Sequence, residues 1–100
     1  MSPRKFIDVD PRMLRLPTTR HEGADPGKLQ RQIARHGRSI AGMPPIELLE
    51  STDGEYVVYD GVTRATRAAK LCPGTLIPAE VTGTYRKAAA KYPTVGDKIP

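Results

Sequence analysis

Apolar and polar residues alternate across Phe6-Ile7-Asp8-Val9-Asp10, the pattern of a half-buried strand. Pro11 ends it, and Met13, Leu14 and Leu16 carry an apolar trace on to Pro17. A polar loop, Thr18 to Ala24, follows. Asp25-Pro26 reads as a helix start, with Asp as N-cap and Pro at the first helical position. A helix is expected over 26–36, with Leu29 and Ile33 facing inward and Ala34 a further candidate. Gly37 stops it as the residue after the last turn.

A stiff loop containing Pro44-Pro45 leads to Ile46-Glu47-Leu48-Leu49-Glu50, which reads as a second strand. Asp53-Gly54 is a hairpin turn signal between that strand and a third over 55–59, so these two strands should pair antiparallel. The pattern breaks at Asp60-Gly61, and the good helix formers Ala65, Arg67, Ala68, Ala69, Lys70 and Leu71 follow. Cys72-Pro73-Gly74 is another turn. A strand over 76–81 comes next, and Pro78 argues for an edge position or a bulge in it. A short helix over 84–92 would carry Arg86, Lys87 and Lys91 on a cationic face, and the tail from Pro93 has no periodicity. These elements predict an α+β domain, a small mixed β-sheet with two main helices packed against it.

At 100 residues the chain should form a single domain, with a core over 6–82 and a C-terminal helix and tail over 83–100. With no Trp and one Phe, its core must be aliphatic, with Tyr at the margins. Tyr56 and Tyr59 should differ in burial, at least one of them joining the core. The formal net charge of +5 is compatible with a nucleotide or nucleic-acid partner. Cys72 stands alone, so no internal disulfide and no cysteine cluster for zinc can form. No apolar run approaches membrane-spanning length, so no membrane insertion is expected. The first residues lack the apolar segment of a signal peptide.

The candidate chemistry sits at the break. A strand that passes through a Gly turn into a helix aims free N–H groups at whatever lies above the turn, and the helix dipole favours an anion there. Thr63 and Arg64 add a hydroxyl donor and a fork-shaped cation, a combination suited to phosphate. Arg67, one turn further, is either a second phosphate ligand or a solvated side chain. Asp60 either caps the helix or offers the one carboxylate available for base or metal work. His21 and Glu22, beside Arg20 in the polar loop, are candidates for acid–base chemistry or ordinary surface. His36 should be a favourable contact with a helix C-terminus, and Cys72 a half-buried packing residue.

The order of these segments resembles the ParB/sulfiredoxin-like family, which includes ParB-like nuclease domains. The matching stretches are Ile7-Asp8-Val9-Asp10-Pro11, Arg20, Gly42-Met43-Pro44-Pro45-Ile46, Asp60-Gly61-Val62-Thr63-Arg64 with Ala68-Ala69-Lys70-Leu71, and Leu76 to Val81. The resemblance implies the ParB N-terminal fold and a Gly-x-x-Arg turn that holds nucleotide or other phosphate. Gly61 and Arg64 inherit that role, and Arg20 reaches the same pocket from the first loop. Partition-type members, which bind CTP, have Glu and Arg where this chain has Val62 and Thr63, so the acidic residue that helps hold a metal-bound triphosphate is missing. The stretch from Arg64 to Leu71 is also one residue longer. Sulfiredoxins place their reactive Cys in this turn, whereas Cys72 lies at the far end of the helix. No helix-turn-helix segment follows, so a complete partition protein is not expected.

The Asp-Gly-Val-Thr-Arg variant looks more like ParB-type modules of secreted bacterial polymorphic toxins. That likeness implies a nuclease or phosphodiesterase acting at the Asp60–Arg64 turn, with Asp60, Arg64 and His21 as catalytic candidates. Arg20, Gly61, Thr63, Arg64 and Arg67 would bind phosphate, and a divalent metal such as magnesium is the cofactor the corner leaves room for. It also implies a bacterial cytoplasmic location, or delivery into a target cell as part of a larger secreted protein. Two other function classes fit the same residues. One is a nucleotide-binding switch without turnover. The other is an interaction module whose basic face meets an acidic partner such as an immunity protein.

Overall fold

The computed structural model describes residues 4–100. Four strands form one mixed sheet: β1 (Lys5–Val9), β2 (Ile46–Ser51), β3 (Tyr56–Asp60) and β4 (Ile77–Tyr85). Their order across the sheet is β1-β4-β2-β3. β2 and β3 form the antiparallel hairpin expected from Asp53-Gly54, β1 runs antiparallel to β4, and β4 runs parallel to β2. Two helices complete the domain, α1 (Pro26–His36) and α2 (Val62–Leu71). The α+β class follows directly.

The alternation of the strands places one side chain set inward. Ile46 and Leu48 of β2, Val58 of β3, and Ile77 and Ala79 of β4 meet Ala65, Ala68 and Ala69 of α2 in a single core. The three alanines recur at helical spacing, so α2 lies close on the sheet with a narrow, small-residue face. Tyr56 packs against this core, whereas Tyr59 is exposed. In α1 Leu29 is buried and Ile33 half-buried, but Ala34 turns to solvent. Asp25 caps this helix by accepting from Lys28 N at 2.9 Å.

Two sequence expectations change. β4 is an interior strand, so Pro78 is neither at an edge nor at a bulge. It is tolerated because the ladder to β2 begins one residue later, at Ala79, leaving Pro78 with a neighbour only on the β1 side. The register irregularity falls further on, between Val81 and Gly83.

The helix expected over 84–92 does not form either. β4 continues to Tyr85, because pairing Thr84 and Tyr85 with Glu50 and Ser51 outweighs the helix preference of the alanines beyond. The chain then folds onto the hairpin turn. Asp53 accepts from Ala89 N through both oxygens at 3.1 Å and from Ala90 N at 2.9 Å. With the Ser51 hydroxyl also donating to it, Asp53 is held well below the usual carboxylate range.

The unpatterned tail is integral. Leu16 N donates to Pro93 O and Val95 N to Leu14 O, each at 2.8 Å, and Val95 is buried. On its other side the same extended segment meets β3, with Arg15 N donating to Tyr56 O and Val58 N to Arg15 O. The outer edge of the hairpin is therefore partly covered. Arg15 locks the arrangement by pairing with Glu55 and donating to Tyr92 O.

Candidate functional site

β3 delivers the chain to Asp60, and Gly61 turns it into α2 with φ of +109°, a conformation open to glycine. Gly61 occupies the N-cap and supplies no side chain, and Asp60 does not cap in its place. The backbone N–H groups of Val62, Thr63 and Arg64 find no acceptor among the described residues. They open the positive end of a ten-residue helix.

A cleft of about 420 Å³ lies over this corner. Gly61, Thr63 and Arg64 line it together with Tyr59 and Asp60 from the end of β3 and with Arg20, Asp25 and Lys28 from the segment around the start of α1. Arg20 arrives on a short 3₁₀ turn, Thr18–Arg20, and Lys28 on the first turn of α1. Three cations thus share the cleft with two carboxylates. One of these, Asp25, already accepts the Lys28 N–H, which lowers its pKa.

Arg64 differs from a solvated helix residue. Its side chain is 20% exposed, and Nη2 donates to Pro45 O at 3.1 Å. Nη2 also stands 3.9 Å from Oδ2 of Asp60, whose side chain is 61% exposed, a distance at which an exposed pair contributes little. The buried Nε has no hydrogen-bond partner among the described residues. The guanidinium is therefore tethered by one prong, with donors left over for a ligand.

The structure brings Arg20, Asp60, Gly61, Thr63 and Arg64 together at the cleft. Two candidate residues lie elsewhere. Arg67 is 2% exposed and is neither a cleft residue nor solvated. Its Nη1 donates to Gly37 O at 2.9 Å and Ser39 O at 2.7 Å, and its Nε to Gln32 Oε1 at 3.2 Å. It fastens α2 to the C-terminal end of α1 and the following loop. Three residues along a helix also rotate a side chain partway round the axis, and here that rotation points it at α1.

His21 stands next to Arg20 but packs its ring edge-on against Tyr92, with centroids 4.9 Å apart. Its Nε2 is buried without a partner among the described residues, and the side chain does not line the cleft. Lys28 and Tyr59 also line the cleft, a role the sequence did not announce for either. Lys28 lies three residues beyond the Asp25 cap, and Tyr59 is two residues from the Gly turn, so position along the chain was their only signal.

No protein-family model and no characterised protein sequence matches this chain.

Proposed function

We propose that the domain binds phosphate groups of a nucleotide or nucleic acid in the Gly61 cleft, in the manner of the ParB/sulfiredoxin-like domains it resembles. One observation carries the reading. Val62, Thr63 and Arg64, whose backbone N–H groups have no acceptor among the described residues, line one cleft with Arg20 and Lys28, and Arg64 keeps guanidinium donors beyond its bond to Pro45 O. Backbone N–H groups, a helix dipole and a guanidinium together match the acceptor-rich, negatively charged surface of phosphate.

Phosphodiester hydrolysis is the second reading, favoured by the exposed carboxylate of Asp60 beside Arg64. In that reaction water attacks phosphorus in line, the new O–P bond forms as the ester O–P bond breaks, Asp60 takes the water proton, and the departing alkoxide leaves as an alcohol after taking a proton from solvent. Arg64 and the α2 N–H groups offset the charge on the phosphoryl oxygens. Among the described residues no three His, Cys, Asp or Glu side chains gather into a metal cage. One carboxylate plus the ligand's phosphates is nevertheless a donor set that Mg²⁺ accepts. Asp60 is the residue that would hold such an ion, whose chemistry would be charge neutralisation at the phosphate.

Calorimetry against CTP, ATP and GTP tests the binding reading. Arg64→Ala should weaken binding by roughly one to two powers of ten. No heat with any nucleotide or oligonucleotide would end it. Asp60→Asn separates the readings, because it should spare binding and abolish hydrolysis of a phosphodiester.

A further inference from the structure

Beside the cleft, α1 presents Lys28, Arg31 and Arg35 at i, i+3 and i+7, three exposed cations on one face. Among the described residues none of them is ion-paired. A second groove of about 280 Å³ runs along this stripe between α1 and Thr63. It shares Lys28, Gln32 and Thr63 with the cleft, so the two adjoin. From Lys28 to Arg35 the helix rises about 10 Å, more than a single phosphate group needs. Tyr59, which also lines the cleft, is 68% exposed, an open aromatic face beside the Gly61 corner.

We infer that cleft and groove together are a track for single-stranded nucleic acid. One phosphate sits at the Gly61 corner, a base stacks on Tyr59, and the next phosphates follow Arg31 and Arg35 along α1. The inference rests on the phosphate-binding reading of the cleft and extends it from a single nucleotide to a strand. An unpaired base is required because a duplex keeps its faces stacked and unavailable to Tyr59. An acidic protein would satisfy the cations and the α2 N–H groups equally but would leave the exposed ring of Tyr59 without purpose.

The test measures binding of the full chain to thymidine monophosphate, to oligo-dT of two, four and eight nucleotides, and to an eight-base-pair duplex. Affinity should rise about tenfold or more from monomer to tetramer and favour the single strand over the duplex. Arg31→Gln/Arg35→Gln should flatten the length dependence, and lower the salt slope by about 1.4, at roughly 0.7 per phosphate contact. Tyr59→Ala should cost the oligomer about fivefold or more. An oligomer that binds no tighter than the monomer, equal affinity for the duplex, or full displacement by polyglutamate would overturn the track. Loss of the cleft reading has its own signature: Arg64→Ala leaves monomer binding unchanged.

Discussion

A Cβ placed on Gly61 would lie 2.9 Å from Nη2 of Arg64, and equally close to Cδ1 of Ile46. The glycine that turns the chain is therefore also the space in which the guanidinium rests. Gly61→Ala must adopt an unfavourable φ and displace that side chain. A loss of about 1–3 kcal/mol in stability is expected, with phosphate affinity reduced beyond what the stability loss explains. Thermal melts paired with a nucleotide titration check this. An unchanged melting temperature would show that the corner relaxes freely.

Arg64 and Arg67 should separate cleanly, although they lie one helical turn apart. Arg67→Met strands the carbonyls of Gly37 and Ser39 and should cost about 3 kcal/mol, on the order of 15 °C in melting temperature. Arg64→Ala loses one hydrogen bond, to Pro45 O, and should cost about 1 kcal/mol or less. Differential scanning calorimetry of the two variants decides. Equal losses would mean that Arg64 is as structural as Arg67.

The difference between these two arginines also marks where the sequence was legible. The strand alternation of Phe6 to Asp10, the Asp25 cap and the Asp53-Gly54 turn are local signals, and each element they announce is present. The Gly61 corner was legible for the same reason, since a β-run that stops at Gly before helix formers has few other solutions. Arg67 was not, because its burial depends on where α1 lies, a long-range fact with no trace in the residues around position 67. The 84–92 segment failed through competition: its alanines favour helix, but strand pairing to β2 and the Asp53 carboxylate bind the same backbone more strongly. Pro78 misled because the rule that places Pro at edges concerns the missing N–H, and the β2 ladder starts just past it.

Asp53 gives the fold a pH dependence. Its folded pKa is depressed, first by the Ser51 hydroxyl and then by the Ala89 N–H, so its contribution is fully present above the ordinary value near 3.9 and fades as pH falls below it. Asp53→Asn should lower the melting temperature at pH 7. The gap between the two proteins should hold from pH 7 to about pH 5 and narrow below about pH 4, as the carboxylate of the unfolded wild-type chain takes up a proton that the folded one resists. A gap that stays constant down to pH 2 would show that the charge plays no part.

The tail should behave as core. Val95→Ala removes two buried methyl groups and is expected to cost about 2 kcal/mol, measured by urea denaturation. Deleting residues 86–100 also removes Ala89 and the Tyr92 carbonyl that holds Arg15, and should abolish the cooperative transition. A truncated chain that melts like the full one would show the tail to be an appendage.

The most direct test of the phosphate corner is a titration of the ¹⁵N-labelled protein with a nucleotide, followed by the backbone amide resonances of Val62, Thr63 and Arg64. These N–H groups lack acceptors among the described residues, so a phosphate that docks on them must shift all three together, with Arg20 and Lys28 moving alongside. In Arg64→Ala the same shifts should require roughly ten- to a hundredfold more nucleotide, while Arg86→Ala, at the hairpin end of the sheet, should leave the curve unchanged. Shifts confined to other surfaces, or a titration curve identical in the wild type and Arg64→Ala, would contradict the account.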